Sequence, residues 1–238
     1  MIAGEGVLAS ELRTAAADAG YEVRSPHDPT GGVLPALIVD CDRAPSQGDR
    51  TSEARYPDRR AQPLPQGGAN VVLLAAGSLS VLDPGGSAVG FHVLAPLPDA
   101  HLVELTRGEG SSPVAAARAE RFFAALGKHV VWVGDAPGLV LGRIVCQVIN
   151  ESAFSLGEGV GGAEDIDTGM VLGLNHPRGP LQWADAIGLD HVLTVLESLC
   201  EEYREERYRP APALQRLVRA GHLGRSTGAG FFEYDAGS

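Results

Sequence analysis

The chain is short of cysteine, of aromatic residues and of long apolar runs. Its three cysteines, Cys41, Cys146 and Cys200, lie far apart in 238 residues, and aromatic residues make up 5% of the total. An odd number of widely spaced cysteines favours neither a disulfide framework nor a metal site. No apolar run approaches the ~20 residues that a membrane span needs, and the opening residues lack the pattern of a signal peptide. We therefore expect a reduced, cytoplasmic protein with no bound metal and no membrane partner.

Basic residues are also scarce relative to acidic ones. The chain has 19 lysines and arginines against 30 aspartates and glutamates, a formal net charge of -11. An acidic surface repels the phosphates of nucleic acids and of anionic membranes, so neither is an expected partner. The length suffices for one large domain or two small ones, each with a buried core.

The apolar pattern changes character near Pro137. Before it, helices are predicted over 7–19, ending at Gly20, and over 113–126. Strands are predicted at 1–3, 21–24, 35–40, 70–76, 89–94, 101–106 and 129–133. After it, nearly every pattern is helical: 138–157 with Pro137 at the first helical position, 163–174, 181–187, 190–204 with Asp190 as N-cap, and 211–220. The polar stretch 43–68 is predicted to be a surface loop with a short helix near 51–56. These patterns predict an α/β domain over 1–136 and an all-helical domain over 137–238.

The first helix follows a glycine-rich turn. Gly4, Gly6 and Ala9 fit the pattern G-x-G-x-x-A between a strand and a helix, where small residues let a pyrophosphate approach the helix N-terminus. Asp28 lies about where such sites place the carboxylate that binds the ribose hydroxyls. Alternatively, the glycines form an ordinary turn and Asp28 belongs to an exposed Asp-Pro turn. Glu5 adds a carboxylate to the turn, which would repel phosphate.

A histidine and a glutamate lie on successive predicted strands. His92 comes near the end of one strand, and Glu104 lies in the next. A turn between the strands can place the carboxylate beside the imidazole, where it would fix the tautomer and stabilise the imidazolium after proton uptake. A lone histidine in a strand is usually structural, so the surrounding sequence decides between the two interpretations.

That surrounding sequence resembles the 3-hydroxyacyl-CoA dehydrogenase family. The resemblance rests on segments spread over most of the chain: Gly90-Phe91-His92 with Pro96-Leu97-Pro98, Val103-Glu104-Leu105-Thr106-Arg107-Gly108, Pro137-Gly138-Leu139-Val140-Leu141-Gly142-Arg143, the run from Gly173 to Asp190, and Gly224 to Phe232. It implies a Rossmann-type α/β domain, here truncated, followed by an all-α domain. It also implies NAD as cofactor, an acyl-CoA-type substrate and a homodimer formed through the helical domain.

The resemblance assigns roles to individual residues. His92 and Glu104 occupy the catalytic positions, and Ser78 supplies a hydroxyl to the substrate oxygen. If the alignment is shifted by one residue, Gly77 takes this place and the hydroxyl is lost. The implied activity is NAD-dependent oxidation of a 3-hydroxyacyl-CoA, or of a related 3-hydroxyacyl substrate, to the 3-oxoacyl form, or the reverse.

Two departures from the family pattern concern the active site. Gly142 replaces an asparagine that binds substrate in the family, and glycine cannot supply its side-chain hydrogen bond. Only about ten residues separate the strands predicted at 21–24 and 35–40, where the family inserts a long helical excursion over the CoA. These departures leave open a second hypothesis, a degenerate paralogue with a binding or structural role.

Overall fold

The computed structural model describes residues 1–4, 6–24, 34–41, 68–84 and 86–234. The chain divides into two compact units, Met1–Val140 and Leu141–Ser238, whose boundary follows closely on the predicted one at 136/137. Glu5, Asp28 and the short helix predicted at 51–56 lie outside the described residues.

The first unit is built on a six-stranded sheet in which neighbouring strands follow the order of the sequence. Its strands are β1 (Ile2–Ala3), β2 (Leu37–Asp40), β3 (Ala69–Leu73), β4 (Val89–His92), β5 (Leu102–Arg107) and β6 (His129–Trp132). The pairs from β1 to β4 are parallel, β4 and β5 are antiparallel, and β5 and β6 are parallel. The short connection between β4 and β5 suits an antiparallel pair, since a parallel crossover needs a dozen or more residues.

Among the described residues of this unit, the α-helices are α1 (Val7–Asp18), α2 (Leu79–Leu82) and α3 (Pro113–Ala125). Helix α1 buries Leu8, Leu12 and Ala16 and is followed by Gly20 at φ 84°, as expected of a glycine that ends a helix. The strand predicted at 21–24 is wrong. Ile2 N donates to Arg24 O at 3.0 Å, so residues 21–24 contact β1 without forming a strand beside it.

The second unit is helical throughout its main elements. These are α4 (Leu141–Gly157), α5 (Ala163–Leu174), α6 (Pro180–Ile187), α7 (Leu189–Tyr203) and α8 (Pro212–Arg219). Helix α4 packs against α6, α7 and α8 and buries Cys146 and Ile149 completely. The predicted α/β part followed by a helical part is thus confirmed. No helix among the described residues is long and apolar enough to cross a membrane.

Two predicted helix starts are wrong, and backbone geometry explains both. Gly138 and Leu139 have φ values of 68° and 49°, in the left-handed region, so no helix can begin at Pro137 and α4 begins at Leu141. The cap of α7 is Gly188, with φ 102°, which places Asp190 inside the first turn. By contrast, Asn175 ends α5 in the left-handed conformation that is typical of a helix C-terminus.

Candidate active site

The structure brings His92 and Glu104 together as a cross-strand pair. His92 on β4 lies directly opposite Glu104 on β5 in the antiparallel register. Such partners project on the same face of a sheet with Cβ atoms about 4.5–5.5 Å apart. His92 is 1% exposed and Glu104 is 4% exposed. An imidazole and a carboxylate that are buried side by side have the arrangement expected of a general base and the group that supports it.

Burial sets the protonation state of His92. It lowers the pKa of the imidazole from 6.5 to about 4, because removal from water penalises the charged form. At neutral pH the ring is therefore uncharged and able to accept a proton. A carboxylate opposite the ring favours, when it carries its charge, the imidazolium that proton uptake creates.

The carboxylate of Glu104 is itself held in place. Val140 N donates to Glu104 Oε2 at 3.1 Å. This bond links β5 to the segment that precedes α4 and restricts the orientation of the carboxylate. A fixed carboxylate can select one tautomer and one orientation of a neighbouring imidazole.

Ser78 lies at the same edge of the sheet as His92. Strands β3 and β4 are parallel neighbours, so the chain that leaves β3 towards Ser78 and the end of β4 at His92 share one edge. Ser78 is 1% exposed, occupies the N-cap of α2, and places its Oγ 3.0 Å from Ser80 Oγ. The alternative alignment, with Gly77 in this position, is not tested by the structure.

Sequence reasoning missed Asp135. Its Oδ1 accepts a hydrogen bond from Leu79 N at 2.6 Å, and its Oδ2 accepts one from Ser80 N at 2.9 Å. The available signal was its position in the sequence. Asp135 is a carboxylate two residues before Pro137, where the motif from Pro137 to Arg143 begins. Nothing in the local pattern connects it with the distant loop at Ser78.

The glycine-rich turn leaves its backbone open at Gly6, in front of α1. Gly4 has φ 112°, which favours glycine, and Gly6 is the N-cap of α1 without any side-chain cap. A Cβ atom at Gly6 would meet no heavy atom within 4 Å, so the backbone is open to close approach. Ala9 is fully buried, and the Arg13 guanidinium donates to Gly4 O. These residues fit a dinucleotide phosphate at a helix N-terminus. Asp28, the predicted ribose ligand, lies outside the described residues.

Gly142, the glycine in place of the family's asparagine, is buried near the start of α4. It belongs to the second unit, whereas His92, Glu104 and Ser78 belong to the first. Its effect on activity is not tested by these contacts and stays a prediction, as do the roles of the other site residues.

Two family models match the chain in succession. The model described as "3-hydroxyacyl-CoA dehydrogenase, NAD binding domain" matches residues 79–136, and the one described as "3-hydroxyacyl-CoA dehydrogenase, C-terminal domain" matches 138–234. The first description names the predicted cofactor, NAD. The glycine-rich turn precedes both matched ranges.

Curated relatives bear dehydrogenase names. A 3-hydroxybutyryl-CoA dehydrogenase from Bradyrhizobium diazoefficiens is 43% identical over 146 residues, which cover 61% of this chain and 50% of that protein. A probable 3-hydroxybutyryl-CoA dehydrogenase from Bacillus subtilis is 42% identical over 147 residues, 62% of this chain and 51% of that protein. The chain thus spans about half the length of the curated relatives that it matches.

Solved structures extend the similarity to the fold of both units. The (S)-3-hydroxybutyryl-CoA dehydrogenase PaaH1 from Ralstonia eutropha is 34% identical with a TM-score of 0.68, and the match covers 84% of this chain and 71% of that one. FadB2 from M. tuberculosis has a TM-score of 0.82 at 24% identity, with 98% of this chain and 97% of that one covered, which supports the fold alone. From the two matched models and the similarity to PaaH1, this chain belongs to the 3-hydroxyacyl-CoA dehydrogenase family.

Proposed function

We propose that the chain catalyses the NAD-dependent interconversion of a 3-hydroxyacyl-CoA and the corresponding 3-oxoacyl-CoA. The observation that carries the proposal is the buried cross-strand pair of His92 and Glu104. The 3-hydroxybutyryl-CoA dehydrogenase names of its relatives make a four-carbon acyl chain the first substrate to test.

In the oxidation direction, the substrate loses a proton from its 3-hydroxyl group and a hydride from C3, and a C3 carbonyl forms. His92 accepts the proton, because burial keeps its imidazole neutral at pH 7. Glu104, oriented by Val140 N, stabilises the resulting imidazolium. Ser78 donates a hydrogen bond to the substrate oxygen as its carbonyl character grows. In the reverse direction His92 returns the proton.

The hydride acceptor is NAD, which supplies the redox chemistry when it is bound. We assign its pyrophosphate to the backbone around Gly4 and Gly6, at the N-terminus of α1, with Ala9 giving a close helix contact. Asp28 is proposed to bind a ribose hydroxyl and to repel the 2′-phosphate of NADP, which predicts a preference for NAD.

The decisive experiment is the turnover of 3-hydroxybutyryl-CoA with NAD, followed by NADH absorbance, for the wild type and for His92→Ala. Loss of a general base typically costs ~10²–10⁴-fold in rate, so we expect a loss of that order in kcat. His101→Ala removes an exposed imidazole just before β5 and serves as the matched control. Near wild-type turnover of His92→Ala would exclude His92 from the reaction. A folded wild type without turnover would contradict the proposed activity and favour a non-catalytic role.

We further propose a homodimer formed through the helical unit. Ile144 on α4 and Leu172 and Leu174 on α5 are 57%, 80% and 70% exposed, and a dimer formed through this unit would cover these apolar side chains. Val145 and Ile149 of α4 are buried within the unit and do not contribute.

The dimer is tested by sedimentation of the wild type and of Leu172→Asp, with Val114→Asp as control. Val114 is also an exposed apolar residue, 52% exposed, but lies in the first unit. We expect Leu172→Asp, but not Val114→Asp, to shift the protein towards monomer, because a buried unpaired carboxylate is costly at an interface. A wild type that is monomeric at every concentration would refute the proposal.

A further inference from the structure

The N-terminus of α2 is capped from a distant part of the chain. Asp135 follows β6, and both of its carboxylate oxygens accept backbone N–H groups of α2, Leu79 N at 2.6 Å and Ser80 N at 2.9 Å. The donors and the acceptor are 56 and 55 residues apart in sequence. Hydrogen bonds from N–H groups to a carboxylate are stronger than those between neutral groups, so this contact fixes the start of α2 firmly.

Asp135 performs a task that usually belongs to Ser78. A serine at an N-cap normally accepts a hydrogen bond from the N–H of the second or third helical residue through its own hydroxyl. Ser78 occupies the N-cap of α2 but makes no such side-chain cap bond, and its Oγ lies 3.0 Å from Ser80 Oγ. The carboxylate therefore takes over the cap, and the serine hydroxyl is not used for it.

The segment that carries Asp135, residues 135–140, also bonds to Leu74 and to Glu104. Gly138 N donates to Leu74 O at 2.6 Å, and Val140 N donates to Glu104 Oε2 at 3.1 Å. Between them, Leu139 is 1% exposed and packs with a cluster that contains Leu74, Leu79 and Ala88. Residues 135–140 thus hold the Ser78 loop and the Glu104 carboxylate in one rigid arrangement.

We propose that Asp135 is a positioning residue, which keeps the Ser78 hydroxyl directed to the substrate oxygen by capping α2 in its place. The inference rests on the proposed function, in which Ser78 donates to that oxygen. Without the carboxylate, the amides of Leu79 and Ser80 lose their acceptor. The Ser78 hydroxyl then rotates to cap the helix itself and is withdrawn from the substrate.

A double-mutant cycle on kcat tests this coupling. Removal of one preorganised donor typically costs ~10²–10³-fold in kcat, which is the range expected for Ser78→Ala. Displacements of about 1 Å cost up to ~10²-fold, so Asp135→Ala should lower kcat by roughly 10-fold to 10²-fold. If Asp135 acts through Ser78, the double variant should be no slower than Ser78→Ala. Asp135→Asn retains one acceptor oxygen and should recover part of the loss, and the KM for NAD should stay unchanged in all of these variants.

Asp83→Ala provides the matched control. Asp83 Oδ2 accepts Ala88 N at 3.0 Å just beyond the C-terminal end of α2, so this variant removes a comparable carboxylate–amide bond from the same loop. Its effect on kcat should be small and should multiply independently with that of Ser78→Ala.

The possible outcomes separate the two proposals. An active wild type in which the effects of Asp135→Ala and Ser78→Ala multiply would overturn the positioning role alone. An equal loss of kcat in Asp83→Ala would overturn it as well, because the effect would then be a general loosening of the loop. A folded wild type without turnover would refute the proposed function, and the positioning inference with it.

Discussion

The strongest prediction for stability concerns Asp185, a buried carboxylate on α6 that holds the C-terminal segment. Its Oδ1 accepts Phe231 N at 2.9 Å, and its Oδ2 accepts Phe232 N at 2.9 Å and the Tyr234 hydroxyl at 3.0 Å. Asp185 is 1% exposed. Asp185→Ala would therefore leave three donors of the segment without their acceptor.

The size of the effect follows from these three bonds. A hydrogen bond typically contributes about 0.5–1.5 kcal/mol, and one to a charged group about 1.5–3 kcal/mol. Burial raises the pKa of Asp185, which shows that the carboxylate is desolvated and that the lower part of this range applies. At about 1.5 kcal/mol for each of the three bonds, we expect Asp185→Ala to lower the free energy of unfolding of the helical unit by about 4–5 kcal/mol.

Urea unfolding measures this loss if the signal is confined to the helical unit. The chain has two tryptophans, and Trp183 lies on α6, two residues before Asp185 in the sequence. In a Trp132→Phe background, fluorescence therefore reports on α6. Glu233→Ala, an exposed carboxylate in the same segment, is the control and should stay within about 0.5 kcal/mol of the reference.

Two results would refute this reasoning. One is a loss below about 1 kcal/mol for Asp185→Ala, which would mean that water replaces the carboxylate at little cost. The other is an equal loss in Glu233→Ala, which would point to the charge of the segment and not to the three bonds.

Three further predictions concern the first unit and Gly142. Because the pKa of His92 falls from 6.5 to about 4 on burial, its contribution to stability should be complete above pH 6.5 and lost as the pH falls towards 4. In His92→Gln, up to about 3.4 kcal/mol of the pH-dependent change in the free energy of unfolding should disappear over this window, and an unchanged slope would contradict the prediction. Gly4→Ala should weaken NAD binding in calorimetry, since φ 112° strains any residue with a Cβ atom, and unchanged affinity would remove this turn from the site. Gly142→Asn should raise kcat about tenfold or more if it restores the missing donor; no change in a folded, active variant would show that another group has taken the role.

Much of the fold could be predicted from the sequence, because its signals are local. The buried face of α1 follows from helical periodicity, and the end of α5 follows from the preference of asparagine for the left-handed conformation at a C-cap. The juxtaposition of His92 and Glu104 was also accessible, since a short connection between successive strands makes them antiparallel neighbours.

Other features depend on partners that are distant in the sequence. Helix α4 begins at Leu141 because the preceding residues are bound to the first unit: Leu139 is buried there, and Gly138 N donates to Leu74 O. The cap that Asp135 places on α2 joins residues 55 and 56 positions apart, and residues 21–24 bond to β1 through Ile2 N and Arg24 O without forming the expected strand. Secondary-structure propensity and hydrophobic periodicity describe only local stretches of the chain, such as one or two helical turns. The amino-acid sequence therefore determined the elements and the residues of the candidate site, whereas tertiary contacts decided where those elements begin and what holds the site in place.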